Sequence, residues 1–337
     1  MKRKLNVLFY GLSHEHAAGK LRSIAKMTDD FSLVAVVDDR ESAKPYFVDE
    51  QAEVSGVPLV SEAAAFDTKG VDLVFVETTN RNLMKVAAEC VARNLPMHCD
   101  KPCGETMEPY RSLVETCRAK NIPFQIGYMY RGNPALRFAW KAVREGWLGD
   151  VAFVEADMNH DYGTAGYESY IGSFKGGILY NLGCHLVDMV VPFARGKFVS
   201  AIPLIGDAPG DPKGSRTNGA SLMRFEGTNV LIRTCSHMPG GILCRRLRVD
   251  GSNGTLEIRP IERFDGRNLT LELSVKNPVG GYATGTHVID FGVQDDRYAP
   301  QLADLAAIVR GDKPNDQDYA RDLLVHDLTL KACGIGV

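Results

Sequence analysis

No stretch of the sequence approaches the length of a membrane span, so nothing in it reads as a transmembrane helix. No charge of either sign is in excess: 39 Lys and Arg face 42 Asp and Glu, for a net charge of −3. That balance leaves no basic footprint for nucleic acid. A disulfide framework is also missing. Cys90, Cys99, Cys103, Cys117, Cys184, Cys235, Cys244 and Cys333 are scattered through apparent helices and strands, and they read as reduced thiols of a cytoplasmic protein. His98, Cys99 and Cys103 match no usual zinc spacing, and Pro102 lies among them, so no metal is expected. The basic start, Met1-Lys-Arg-Lys, precedes an apolar run at 5–10 and superficially resembles a leader. The run is short, is interrupted by Asn6, and has no small-residue cleavage site behind it.

What the chain does have is an ordinary globular composition, 45% hydrophobic and 24% charged. At 337 residues it exceeds what one core usually serves, so two domains are expected. The first half alternates short apolar runs with helical patterns. Buried strands are read at 5–10, 31–37, 71–77, 95–99 and 123–128, and helices at 15–27, 84–93 and 108–120. That alternation implies a parallel sheet with right-handed crossovers, a Rossmann-type doubly wound domain over 1–128. After Tyr128 the pattern changes. An amphipathic helix at 131–146 closes on a glycine, and strands follow at 151–157, 219–225, 229–236, 246–250 and 255–259. Their alternation and turn signals suggest an antiparallel sheet in a second domain over 129–337, which ends in helices near 298–310 and 318–331.

Three segments carry chemistry. The first βα turn, Gly11-Leu-Ser-His-Glu-His16, is a dinucleotide fingerprint that keeps only its first glycine. Gly11 makes the tight turn, and the following helix amino terminus offers N–H groups to a diphosphate. Ser13, His14 and His16 are candidate phosphate or ribose contacts. Asp38 ends the second strand, where a ribose-binding carboxylate is expected, and Arg40 beside it leaves NADP open next to NAD. Thr78, Thr79 and Asn80, after the third strand, complete the candidate cofactor set.

The second segment is Asp100-Lys101-Pro102, at the carboxyl end of a strand, where open α/β sheets place their ligands. A lysine fixed there stabilises negative charge on a reacting oxygen or relays a proton. The third is the stretch from Gly176-Gly177 to Asp188. On one continuous helix Asn181 and His185 share a face, and Asp188 lies three further on, able to orient the imidazole. Histidine is the side chain best suited to proton transfer near neutral pH.

Together these residues resemble the Gfo/Idh/MocA family, the glucose-fructose oxidoreductase and inositol dehydrogenase group. Asp100-Lys101-Pro102 is similar to its Glu-Lys-Pro motif, and 176–188 to its glycine-rich run ending in His-x-x-Asp. Thr79-Asn80, the segments 127–131 and 146–149, and the run 249–256 add to the likeness, which extends over nearly the whole chain. The resemblance implies a Rossmann domain followed by an α/β domain with a large, mostly antiparallel sheet. It implies NAD(P)-dependent oxidation or reduction of sugars, polyols or related compounds. Lys101 then contacts the reacting oxygen, with Asp100 and Lys101 beside the cofactor, and His185 transfers the proton. A homodimer or homotetramer is implied as well.

Three positions depart from the pattern: the degraded glycine loop, Asn181 in place of the usual aspartate, and Leu83 in place of a common histidine. Asparagine holds a hydroxyl but is no carboxylate base, which leaves Lys101 and His185 to share the work. Tyr128, Arg131, His160, Tyr162 and Tyr180 are candidate substrate contacts. Two other readings stand beside the dehydrogenase: a non-catalytic dinucleotide-binding regulator, and an enzyme that retains NAD for elimination or epimerisation through a transient ketone.

Overall fold

The computed structural model describes residues 2–45, 56–161 and 166–336. The chain forms two compact units, one of Met1–Met129 with Tyr298–His326, the other of Tyr130–Arg297 with Asp327–Val337.

The first unit is built on a six-stranded parallel sheet in the order β3-β2-β1-β4-β5-β6. The strands are β1 (Leu5–Tyr10), β2 (Phe31–Val37), β3 (Leu59–Val60), β4 (Leu73–Val76), β5 (Met97–Cys99) and β6 (Phe124–Ile126). Helices α1 (Ala17–Lys26), α2 (Arg40–Ala43), α3 (Leu83–Ala92) and α4 (Met107–Ala119) lie between them in the chain. Val7, Leu8 and Phe9 of β1 and all four residues of β4 are wholly buried, which explains why β4 is a continuous apolar run and β1 is broken only at Asn6, rather than alternating. Each such side chain contributes about 1.5–3 kcal/mol on burial. β1 pairs in parallel with β2 on one side and with β4 on the other. The strand order therefore reverses beside β1, and the carboxyl ends of β1 and β4 border the crevice where open sheets bind ligands.

The second unit carries an eight-stranded sheet in the order β14-β13-β12-β11-β7-β10-β9-β8. Its strands are β7 (Val151–Asn159), β8 (Phe198–Gly206), β9 (Asn218–Phe225), β10 (Asn229–Cys235), β11 (Arg246–Gly251), β12 (Gly254–Ile258), β13 (Asn268–Val275) and β14 (Gly285–Val293). All neighbours are antiparallel except β7 and β10, which run parallel. β8, β13 and β14 complete a sheet larger than the strands read from sequence. Helices α5 (Pro134–Arg144), α6 (Tyr167–Gly172), α7 (Gly177–Asn181) and α8 (Gly183–Val190) precede most of it, and α7 and α8 pack on β7, β9 and β10. The start of α5 is fixed by Asn133, whose side-chain oxygen accepts from the Ala135 and Leu136 amides, with Pro134 in the first turn.

The expected assignment of 129–337 to one domain is corrected at its end. Of the closing helices α9 (Ala299–Arg310) and α10 (Tyr319–Ala332), residues up to His326 belong with the first unit. The reason is the backbone around strand β6. Gln125 donates to the Gln301 carbonyl (3.0 Å), and Gln301 returns a bond to the Ile126 carbonyl (2.6 Å). The Tyr319 hydroxyl donates to the Ile122 carbonyl at 2.9 Å and accepts from the Phe124 amide at 3.2 Å.

Candidate active site

The loop after β1 is held by close backbone approach. Gly11 has φ +102°, and a Cβ there would lie 2.7 Å from the Thr78 nitrogen, so only glycine lets the loop pass the chain leaving β4. The loop amides are then satisfied by a residue that sequence reasoning passed over. Asp39, 1% exposed, accepts from the Leu12 amide (2.8 Å), the Ser13 amide (3.0 Å) and the Ser13 hydroxyl (2.6 Å). The signal was the doubled aspartate at the end of β2. Its first member, Asp38, faces outward and takes a two-pronged bond from Arg40, at 2.8 Å from Nε and 2.7 Å from Nη2. That hydrogen-bonded fork holds the Asp38 carboxyl below its ordinary range.

The Asp100-Lys101 pair lies at the carboxyl end of β5, as expected, and both residues are wholly buried. Asp100 Oδ1 accepts the Lys101 backbone amide at 2.7 Å. The Lys101 ammonium lies 3.7 Å from Glu15, and the Asn80 side-chain amide donates to the Lys101 carbonyl at 3.4 Å. Thr78 and Thr79 are buried in the turn after β4. His16 Nδ1 faces both Asp100 oxygens, at 3.2 and 3.0 Å. Lys20, from α1, reaches Asp100 Oδ2 at 2.6 Å and Glu77 at 2.7 Å. Burial pushes the Asp100 carboxyl up, and the facing His14, Lys20 and His16 more than reverse it, holding it well below the carboxylate range. Burial pushes the His14 and His98 imidazoles down to about 3, so both are neutral at ordinary pH.

Among the described residues, His14, His16 and Asp100 are spaced as metal ligands. Two of these atoms have close partners within the chain. His14 Nδ1 accepts the His16 amide at 3.1 Å, and the Lys20 ammonium sits on the shared Asp100 oxygen.

In the second unit the expected continuous helix is broken. α7 ends at Asn181, Leu182 interrupts it, and α8 carries His185 and Asp188. The two glycines before Asn181 serve packing as well: Gly177 has φ +53°, and a Cβ there would lie 2.4 Å from the Arg216 Cβ. Asp188, expected to orient His185, instead holds the Arg131 guanidinium through bonds of 3.0 and 2.7 Å. His185 is 1% exposed and stands edge-on to the Tyr130 ring, 5.3 Å between centroids. Tyr130 donates to Glu262 at 2.6 Å and accepts from Arg245 at 2.9 Å, and Arg245 also ion-pairs with Glu262 and bonds His160 Nδ1 at 3.1 Å. Burial pushes the Tyr130 phenol up, Arg245 pulls it back, and Glu262 adds to the rise, so the net shift keeps it protonated. Of the candidate substrate contacts, Arg131 and His160 are thus tied into these networks. Tyr180 is buried with its ring 5.5 Å from Phe174, and Tyr128 is buried in the first unit. Tyr162 lies outside the described residues.

These residues fit a bound dinucleotide. Gly11 removes the Cβ that would block the turn, α1 starts just beyond the loop, and Asp38 with Arg40 stands at the end of β2.

Comparison with known proteins gives two family matches. The model described as an oxidoreductase family with an NAD-binding Rossmann fold matches residues 5–128, and the GFO/IDH/MocA C-terminal domain matches 136–257. The rhizopine catabolism protein MocA of Rhizobium meliloti is 26% identical over 209 residues, covering 60% of this chain and 63% of that protein. A D-apiose dehydrogenase of Paraburkholderia graminis is 24% identical over 223 residues, covering 61% of this chain and 56% of that protein. The chain therefore spans less than two thirds of the length of these curated relatives. A levoglucosan dehydrogenase solved with NADH and levoglucosan superposes with a TM-score of 0.77 at 16% identity, over 98% of this chain and 97% of the other, a likeness of fold.

Proposed function

This chain belongs to the GFO/IDH/MocA family of oxidoreductases, whose first domain is an NAD-binding Rossmann fold, and on that premise we propose that it transfers a hydride between nicotinamide and a sugar, polyol or related hydroxy or keto compound. The observation that carries this reading is Lys101: a wholly buried lysine at the carboxyl end of β5, its backbone pinned by Asp100 and its ammonium near Glu15. When bound, the nicotinamide supplies the hydride acceptor or donor. The chain's own residues handle the rest. The Lys101 ammonium holds the reacting oxygen and stabilises charge on it. His185 takes or returns the hydroxyl proton. Asn181 binds a hydroxyl by its amide, without acting as a base. Screening sugars, polyols and their keto forms for a change in reduced-nicotinamide absorbance tests the proposal. A regulator would bind nucleotide and turn over nothing. A retained-cofactor isomerase would change the sugar with no net redox change.

The cofactor preference is NAD over NADP. Asp38 ends β2, where its carboxylate accepts from ribose hydroxyls and repels a 2′-phosphate. Arg40 stays committed to Asp38 through its two-pronged bond. Calorimetric titration is expected to show tighter NADH than NADPH binding, and the reverse order would show that Arg40 reads a phosphate.

A second copy of the chain is the proposed cover for the exposed face of the second sheet. Ile202 and Leu204 of β8 and Val288 of β14, the two edge strands, are 57%, 66% and 70% exposed, each with half-buried neighbours on either side. Light scattering at micromolar concentration is expected to give a dimer or tetramer mass; a monomer mass contradicts it. The eight free thiols suit a reducing, cytoplasmic compartment.

A further inference from the structure

Lys20 has no part in the reaction as described, and its setting calls for an explanation. It is 1% exposed on α1, whose other buried residues are Ala17, Ala18, Leu21, Ser23 and Ile24. A buried ammonium is tolerated only where carboxylates and hydrogen bonds compensate its desolvation. Here two do: Glu77 at the end of β4 (2.7 Å) and Asp100 at the end of β5 (2.6 Å), both wholly buried. Lys20 thus ties together the carboxyl ends of two neighbouring strands at the crevice.

We propose that Lys20 is a positioning residue for the reaction, fixing the Asp100 carboxylate so that it holds the Lys101 backbone on one side and the His16 ring on the other. The inference rests on the oxidoreductase reading above. Asp100 accepts from Lys20, from the Lys101 amide (2.7 Å) and from His16 Nδ1 (3.0 Å), while His14 Nδ1 lies 3.2 Å from Oδ2. Those bonds need an ionised Asp100. Other charged or titratable groups around the cluster are Glu15 beside Lys101, His98 of β5, 3.9 Å from Glu77, and Tyr298, whose ring lies 5.8 Å from the Lys20 ammonium. Without Lys20, Asp100 Oδ2 loses the ammonium that ties it to Glu77 at the end of β4. The Asp100 carboxylate is then free to turn, and it no longer holds the Lys101 amide and the His16 ring in place, so the turn that presents Lys101 loses its anchor. Of the two carboxylates, Glu77 is the one pushed toward its protonated form, while Asp100 is held ionised. Burial pushes Glu77 well up, with Lys20 pulling it back and Asp100 adding to the rise. Burial lowers Lys20, but Asp100 and Glu77 reverse that and leave it raised.

The test separates positioning from mere charge balance. Lys20→Met combined with Glu77→Gln makes both members of the pair neutral, and a melting curve checks that the fold is kept. Two readouts are taken on the NADH- or NAD-bound protein. One is the downfield imidazole N–H resonance of His16, which reports its bond to ionised Asp100. The other is the hydride step by stopped flow, with the first panel sugar that the wild type oxidises. The expected result is loss of the resonance and a hydride step slowed about 10–100-fold, the range for groups that orient a reacting group from behind. Lys20→Arg should restore part of both. A double variant with the resonance and the rate intact would leave Lys20 as a counter-ion alone. Loss of the resonance with an unchanged rate would show that the Asp100 anchor does not matter to the reaction; either result overturns the proposal. If the wild type oxidises no panel sugar, the oxidoreductase reading itself fails and takes this inference with it.

Discussion

Replacing Lys101 by methionine is expected to slow turnover by about 2–4 orders of magnitude, the range for loss of a charge-stabilising or acid–base group at the reacting atom. At about 1.4 kcal/mol per factor of ten, that is roughly 3–6 kcal/mol of transition-state stabilisation. Methionine keeps the unbranched stem and deletes only the ammonium. The anchoring of residue 101 survives, because Asp100 holds it through its backbone amide rather than its side chain. Glu15, 3.7 Å from the ammonium, has 12% of its side chain exposed, so solvent can take over part of its compensation. The variant should therefore fold and bind NADH. Steady-state rates together with a melting curve check both halves; a folded variant with nearly wild-type turnover removes Lys101 from the mechanism.

Replacing His185 by asparagine is expected to have the next largest effect. A general base works in its deprotonated form, so the oxidation rate should climb with pH along one ionisation and level off once that group is neutral. His185→Asn should abolish the climbing limb and slow hydride transfer, with nucleotide affinity unchanged. The neighbouring groups are poor substitutes. Tyr130 is kept protonated by its surroundings, and Asn181 has no proton-accepting carboxylate. Asp188 is engaged by Arg131. Initial rates across pH for both proteins decide the matter. Retention of the limb in the variant would move the base to Lys101 or Tyr162.

Much of the first unit was legible because its central strands are buried on both faces and so appear as nearly unbroken apolar runs. β1 and β4 are the clearest cases, and their order around β1 placed Gly11, Thr78 and Lys101 at one end of the sheet. The details of the crevice were not legible, since they depend on residues far apart in sequence. Asp39 rather than Asp38 meets the loop because the second aspartate turns inward, and the doubling alone does not say which. Lys20 looks like the solvated side of an amphipathic helix until Glu77 and Asp100, 57 and 80 residues away, arrive beside it. The break falls at Leu182, just before Gly183, and the short helices on either side of it pack on β7, β9 and β10. The return of residues 298–326 to the first unit was hidden for the same reason. Nothing within that segment announces that Gln301 and Tyr319 will satisfy the backbone around β6.

The most direct measurement of the central claim follows a labelled hydrogen. A sugar or polyol found active in the absorbance screen is deuterated at the carbinol carbon and mixed with the protein and NAD for a single turnover. The reduced cofactor is then analysed by mass spectrometry. The account predicts that NADH carries the deuterium and that Lys101→Met forms it far more slowly. Reduced cofactor without the label would show that the hydride does not come from the carbinol carbon, and no reduced cofactor across the whole screen would contradict the oxidoreductase reading.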